Sequence, residues 1–171
     1  IKKKSYDCCF LSGAPILKEK LLNILPENTI NLHLGLIPYY KGTITIFWPF
    51  YFLEPNMAGT TYHIIDKFVD TGEIIHQNVP LLKRGDSMHE VSCKAIKSAL
   101  EDLDKVINFI KYRLKKKLKP KKDATLKYKG KLFLNSDWKP EMLKVIYGYY
   151  RDKIVDIYLD NQTKNKMPKL I

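Results

Sequence analysis

The chain has 171 residues, of which 45% are hydrophobic, so it is long enough to bury one hydrophobic core. Its net charge of +12 is unevenly placed: residues 1–112 hold 13 basic and 12 acidic residues, whereas residues 113–171 hold 17 and 6. The longest apolar run, residues 44–53, is ten residues long and includes a proline, which is too short for a transmembrane helix of roughly 20 residues. We therefore expect a cytoplasmic protein without a membrane span.

The first part of the sequence predicts a strand, a helix and a second strand. Residues 6–12 are typical of a buried strand, residues 16–25 have apolar side chains at helical spacing, and residues 29–34 again predict a strand. This order indicates a parallel βαβ unit, a unit whose ligand sites lie at the carboxyl ends of its strands. Asn31 and His33 lie near such an end and, two residues apart, point to the same face of the strand.

The middle of the sequence predicts two strands and then helical structure. Residues 44–53 are interpreted as a buried helical turn, and residues 58–66 and 72–82 as strands separated by a loop that carries Asp70. An apolar stripe at helical spacing then predicts one long amphipathic helix within residues 86–114.

Ser87 and Glu90 fit a capping box at the start of this helix. The lysine-rich residues 113–124 predict a solvated linker, and the sequence around Gly130 favours a hairpin. A short helix over residues 139–150 and a strand over residues 153–159 follow. The expected organisation is thus a catalytic core over 1–112, a basic linker over 113–124 and a small carboxy-terminal subdomain over 125–171.

The cysteines and most of the histidines predict no special chemistry. Cys8, Cys9 and Cys93 form no CxxC pair and are interpreted as small buried hydrophobic residues in a reducing compartment. We expect His63 to pack within its strand and expect two further histidines, His76 and His89, at the surface. No set of residues has metal-ligand spacing, so no metal site is expected.

Asn31, His33 and Asp70 are the candidates for catalysis. An amide can donate to an oxyanion, an imidazole can carry a proton, and a carboxylate can orient the imidazole and accept a proton. No serine or cysteine nucleophile accompanies them, which favours direct attack of a substrate amine on an acyl carbon. Spacing alone does not establish that Asp70 reaches His33.

Two stretches, "NLHLGLIPYYKG" over 31–42 and "AGTTYHIIDKFVDTGEIIHQ" over 58–77, resemble the folate-dependent formyltransferase family. That family includes methionyl-tRNA, glycinamide ribonucleotide and sugar N-formyltransferases. Its pattern is Asn-x-His before a Leu-Pro-x-Tyr-Arg-Gly-like loop, then a Gly-x-Thr-x-His strand and an Asp-x-Gly turn. The resemblance implies an α/β fold with a mostly parallel Rossmann-like sheet, present in part, and a small carboxy-terminal α+β appendage.

The resemblance also implies a catalytic trio and a cofactor. Asn31 and His33 would hold the developing oxyanion, while Asp70 would orient His33 and help to move the proton released by the amine. The cofactor would be 10-formyltetrahydrofolate, with its pterin ring between two loops. The residues implied for cofactor binding are Gly13, Ala14, Pro15, Ile16, Leu17, Ile65, Asp66, Lys67, Phe68 and Val69.

The segment after Lys41 most resembles the sugar N-formyltransferases, which implies a nucleotide-linked amino sugar as substrate and a role in surface polysaccharide synthesis. Lys41 stands where the family often has arginine, which keeps the charge but loses bidentate geometry. Trp48 is equally well interpreted as a core residue. The residues expected on the acceptor side are Tyr40, Lys41, Gly42 and Trp48.

Two other functions stay open at this point. The first is formylation of methionyl-tRNA, although residues 113–171 are fewer than that enzyme's carboxy-terminal domain needs. The second is a non-catalytic basic RNA-binding or scaffold module, against which the intact trio argues. A nucleic-acid partner is therefore not expected, and a homodimer is left open. The family carries further strands before this stretch, so we expect either a fragment or a shortened relative.

Overall fold

The centre of the molecule is a four-stranded sheet. The computed structural model describes residues 6–121 and 123–161, together with 168 and 170. The first two strands of the sheet are parallel, and the remaining two pairings are antiparallel. In spatial order the strands are β1 (Cys9–Ser12), β2 (Thr29–His33), β4 (Thr60–Ile64) and β5 (Ile74–Asn78).

A second, two-stranded sheet joins the middle of the chain to its carboxy-terminal segment. Its strands, β3 (Tyr40–Gly42) and β6 (Lys131–Phe133), run parallel to each other. The helices are α1 (Glu19–Leu22), α2 (Phe47–Tyr51), α3 (Met88–Glu101), α4 (Leu103–Lys115) and α5 (Ile154–Asp160). The predicted α/β fold, the parallel βαβ unit, the helical turn within 44–53 and the capping box at Ser87 are confirmed.

The register of the sheet places polar side chains together on one face. Asn31 of β2 pairs with His63 of the fully buried strand β4, and His33 pairs with Thr61. Ile30 precedes Asn31 and points to the other face of β2, where it belongs to an apolar cluster that includes residues of α3 and α4. Because side chains alternate between the faces of a strand, this packing fixes which face carries the polar set.

The larger apolar cluster contains residues from both the middle and the end of the described chain. Trp48 of α2 stacks on Phe133 of β6 with ring centroids 4.6 Å apart. Ile146, Ile154 and other residues of the carboxy-terminal segment belong to the same cluster as Phe50. This segment therefore packs directly on the residues that precede β4.

The predicted single long helix is wrong, because α3 and α4 are separate elements that meet at Asp102. The Asp102 carboxylate lies 2.8 Å from Nε2 of His76 and accepts a 2.5 Å hydrogen bond from Lys105. These contacts hold the junction of the two helices against β5. The continuous apolar stripe in the sequence does not reveal this junction.

Two predictions in the carboxy-terminal segment are also wrong. The hairpin around Gly130 does not form, because Lys131 donates its N–H to the Tyr39 carbonyl and β6 pairs with β3. Residues 153–159, predicted as a strand, lie mostly in α5, where Ile154 and Tyr158 share a buried face. Tertiary packing of that face overrides the strand propensity of its β-branched residues. The predicted burial of the cysteines is wrong as well, because Cys93 is exposed and Cys8 and Cys9 are only half-buried.

Candidate active site

The Asp70 carboxylate lies between two imidazole rings. Its Oδ2 is 3.4 Å from Nδ1 of His33, and its Oδ1 is 3.4 Å from Nε2 of His63. All three side chains are buried, with Asp70 the most exposed at 10%. The loop between β4 and β5 therefore brings the predicted carboxylate to the predicted histidine and to a second histidine.

The backbone around Asp70 is shaped to turn its side chain inward. Asp70 has a positive φ of 51°, in the left-handed region that aspartate tolerates better than most residues. The N–H of Gly42 donates to Asp70 Oδ2 at 2.7 Å. At Gly72 a side chain would not fit, because a Cβ would lie 1.8 Å from the carbonyl oxygen of Ile64. The Asp-x-Gly turn of the sequence thus has a steric reason.

The ring of His33 is fixed by a backbone contact. Its Nε2 is 2.8 Å from the carbonyl oxygen of Tyr40, and a carbonyl can only accept, so the hydrogen-bond network assigns a proton to Nε2. Nδ1 is left facing Asp70. Gly35 packs so closely that a Cβ there would lie 2.6 Å from His33 Nε2. Sequence reasoning missed this role of Gly35.

His63 links Asn31 to the same carboxylate. Its Nδ1 is 2.9 Å from the carbonyl oxygen of Ile64, so Nδ1 carries a proton and Nε2 accepts from Nδ2 of Asn31 at 3.2 Å. The sequence interpretation assigned His63 a packing role, which misses these polar contacts. The Gly-x-Thr-x-His pattern was the signal that could have included it, since it puts His63 across from Asn31.

Burial and nearby charges shift the pKa values of His33 and Asp70, both of which are lowered. Burial lowers the pKa of His33, and the nearby Asp70 charge and the contact with Tyr40 oppose that shift only in part. Burial alone would raise the pKa of Asp70, but the nearby His33 and the hydrogen bond from the Gly42 N–H lower it below its usual value. An ionised carboxylate beside a neutral imidazole is therefore the favoured state near neutral pH.

A cavity of about 1030 Å³ opens beside these groups. Asn31, His33, His63 and Asp70 all line it, as does Gly42. The two loops implied for cofactor binding line it as well, with Ile16 and Phe68 strongly exposed. Those loop residues are Gly13, Ala14, Pro15, Ile16, Leu17, Ile65, Asp66, Lys67, Phe68 and Val69.

Tyr40, Lys41 and Trp48 do not line this cavity, which differs from their expected place on the acceptor side. The Lys41 ammonium is buried and donates to the Leu126 carbonyl at 3.0 Å. The Tyr40 phenol donates to Glu54 at 2.7 Å and borders a second cavity of about 690 Å³. These side chains point into the packing between β3 and the carboxy-terminal segment.

Another part of the cavity lining comes from residues that are far apart in the sequence. They lie before α2, at the start of α3 and around β6, and sequence separation hides their proximity. They include Thr43, Ile44, Met88, His89, Ser92, Leu132, Leu134 and Asn135.

The described part of the chain has no candidate metal site and no candidate membrane span. Within it, no group of three or more His, Cys, Asp or Glu side chains could hold a metal ion. Among the same residues, no helix is both long and apolar enough to cross a membrane.

The formyl transferase family model matches residues 9–107. A methionyl-tRNA formyltransferase of Desulforamulus reducens is 28% identical over 95 residues, covering 56% of this chain and 30% of that protein. A GDP-perosamine N-formyltransferase of Brucella melitensis is 28% identical over 92 residues, covering 54% of this chain and 35% of that protein. The chain thus spans about a third of the length of these curated relatives.

A solved structure with the same fold is the formyltransferase PseJ from Anoxybacillus kamchatkensis, in complex with UDP-4,6-dideoxy-4-formamido-L-AltNAc and tetrahydrofolate. Its TM-score is 0.63 at 22% identity, covering 86% of this chain and 74% of that one. Because the family model spans more than half of the chain and contains the whole His33–Asp70–His63 arrangement, the chain belongs to the formyl transferase family.

Proposed function

We propose that this protein is an N-formyltransferase that moves a formyl group from 10-formyltetrahydrofolate to the amine of a nucleotide-linked amino sugar. The observation that carries the proposal is the convergence of Asn31, His33 and Asp70 on one cavity. Family membership supports the reaction type, and the similarity to a GDP-perosamine N-formyltransferase supports the acceptor class.

The cavity fits the proposed cofactor. Its volume of about 1030 Å³ is at the upper end of cavities that take drug-sized ligands, so it has room for a ring system and an acceptor sugar. The exposed side chains of Ile16 and Phe68, at 81% and 42%, offer apolar surface to a flat ring from two different loops. When bound, the cofactor supplies a formyl carbon that an amine can attack.

Asn31 is our candidate for stabilising negative charge on the formyl oxygen. One N–H of its amide donates to His63, and the second can donate into the cavity that Asn31 lines. Removal of one such donor typically costs about 10²–10³ in rate. His33 is less suited to this donation in the present geometry, because its Nε2–H is held by the Tyr40 carbonyl.

His33 and Asp70 are our candidates for accepting the proton that the amine loses. Nδ1 of His33 faces the Asp70 carboxylate at 3.4 Å, so a proton taken by either group would be shared with the other. The lowered pKa of Asp70 keeps the carboxylate ionised, and the lowered pKa of His33 keeps Nδ1 unprotonated before reaction.

The acceptor would lie against the cavity lining formed by residues before α2, at the start of α3 and around β6. Ile44, Met88 and Leu134 make much of this lining apolar, and Asn135 and Ser92 add polar groups. Among the described residues that line the cavity, Lys67 is the one lysine or arginine, and it belongs to a loop implied for cofactor binding. An apolar wall with few charges suits the body of a deoxy sugar better than a phosphate group.

Formyl transfer to a panel of acceptors tests the proposal. The protein is incubated with 10-formyltetrahydrofolate and dTDP-, UDP- and GDP-linked amino sugars, and mass spectrometry follows the gain of one formyl group. We expect transfer to at least one amino sugar and none to the matching sugar without the amine. Loss of transfer in Asn31→Ala, with unchanged folding by circular dichroism, would tie the activity to the trio.

Formylation of methionyl-tRNA is the second candidate, favoured by the 28% identity with the Desulforamulus reducens enzyme. The same assay includes charged methionyl-tRNA as an acceptor. Transfer to that substrate and to no amino sugar would replace the first proposal with the second. Binding of RNA without transfer to any acceptor would favour a non-catalytic role.

A further inference from the structure

The carboxyl end of α4 and the turn after it present a dense basic surface, which we call the α4 basic end (residues 111–121). The sequence has no acidic residue between Asp104 and Asp123. Six lysines of this segment are exposed, and the described salt bridges of the chain involve other lysines. The six are Lys111, Lys115, Lys116, Lys117, Lys119 and Lys121.

The fold holds this basic surface in place. Arg113 is buried at 3% exposure, and its guanidinium lies 2.7 Å from the Glu73 carboxylate. The other oxygen of Glu73 accepts the backbone N–H of Lys121 at 2.7 Å. Backbone bonds from Lys117 to the Leu114 carbonyl and from Leu118 to the Arg113 carbonyl close the helix end. The exposed lysines therefore project from a fixed frame.

Exposed apolar side chains lie between these lysines. Leu114 and Leu118 are 37% and 52% exposed, and Tyr112 is 53% exposed. The Tyr112 ring can stack on a base, but the two leucine side chains neither stack on bases nor donate hydrogen bonds to them, so the leucines add nothing to nucleic-acid binding. They do gain from partial burial at the boundary between lipid headgroups and acyl chains, where lysines meet anionic headgroups.

We propose that the α4 basic end binds the surface of a lipid bilayer that contains anionic phospholipids. The lysines contact the anionic headgroups, and Leu114 and Leu118 enter the interfacial region beneath them. None of residues 111–121 lines the cavity of the candidate active site, so docking leaves the catalytic groups open. The surface is independent of the proposed formyl transfer.

Vesicle co-sedimentation tests this surface directly. The protein is mixed with vesicles of pure phosphatidylcholine or of phosphatidylcholine with phosphatidylglycerol, at low and at high salt. We expect binding only to the vesicles with phosphatidylglycerol and loss of that binding at high salt. Since each lysine near an anionic surface changes partitioning about fivefold, Lys115→Gln, Lys116→Gln and Lys117→Gln together should weaken binding roughly 100-fold.

A matched triple variant controls for net charge. Lys139, Lys144 and Lys153 are also exposed but lie outside the α4 basic end, and their change to glutamine removes the same charge. We expect this control to bind vesicles nearly as well as the original protein. An equal loss in both triple variants would overturn the proposal, because binding would then follow net charge alone.

The Leu118→Ser variant distinguishes a lipid partner from a nucleic-acid partner. We expect this variant to bind phosphatidylglycerol vesicles several-fold more weakly while any binding of single-stranded RNA is unchanged. Binding of RNA with no binding of anionic vesicles would overturn the proposal and assign the surface to nucleic acid. Circular dichroism of each variant verifies that the exposed substitutions leave the fold intact.

Discussion

The backbone N–H of Gly42 donates to Oδ2 of Asp70 at 2.7 Å, which ties the end of β3 to the loop between β4 and β5. The same oxygen lies 3.4 Å from Nδ1 of His33. One carboxylate oxygen thus connects three segments of the chain that are separate in sequence. This connection orients Asp70 toward His33 before any ligand is bound, which is the kind of preorganisation that catalysis uses.

Asp70→Asn should retain the fold and lose most of the activity. Asparagine tolerates the positive φ, and its side-chain oxygen can still accept from Gly42. Because the Asp70 charge raises the pKa of His33, its removal should move the acidic limb of the kcat/KM profile to lower pH. We expect a loss of about 10² in kcat/KM. A limb that moves to higher pH would contradict the assigned coupling.

His63→Leu should lower kcat about tenfold or more, because the variant removes the acceptor for Asn31 and a contact of Asp70. His63→Gln should recover part of this loss, since its amide oxygen can accept from Asn31. His76→Gln is the control, because His76 contacts Asp102 and lies outside the cavity lining. Equal kcat for His63→Leu and the original protein would show that His63 only packs.

Gly35→Ala should disturb His33 without touching a ligand directly. The added Cβ would lie 2.6 Å from His33 Nε2 and 2.8 Å from the Tyr40 carbonyl oxygen, so the ring or the strand end must shift. We expect kcat to fall at least tenfold, with a lower Tm, since a small misplacement of a catalytic group is costly. Gly148→Ala is the matched control, because the nearest atom to its Cβ is 3.9 Å away.

Trp48→Ala should lower the free energy of unfolding more than it changes the preference among acceptors. Trp48 is 3% exposed and stacks on Phe133, so removal of its ring should cost about 3–5 kcal/mol of unfolding free energy. Urea denaturation measures this loss, with Tyr149→Ala at a 79% exposed position as control. A changed acceptor preference at unchanged stability would instead favour a direct role in binding the substrate.

Local patterns in the sequence determined several features of this protein. The two-residue spacing of Asn31 and His33 places both on one face of β2, since side chains alternate along a strand. The capping box at Ser87 and Glu90 begins α3 as predicted. The βαβ order and the family pattern around Asp70 were also readable, because they depend on residues that are neighbours or nearly so in the chain.

Tertiary structure decided which residues that are far apart in the sequence meet in the folded protein. Leu134 and Asn135 reach the cavity because β6 pairs with β3, about 90 residues earlier in the chain. The same packing buries Tyr40 and Trp48 and makes α5 helical in spite of its β-branched residues. Sequence periodicity specifies which face of an element is apolar, but the choice of partner for that face depends on how all the elements pack at once. For this reason the polar contacts of His63 and the part of the cavity lining around β6 emerged only from the folded chain.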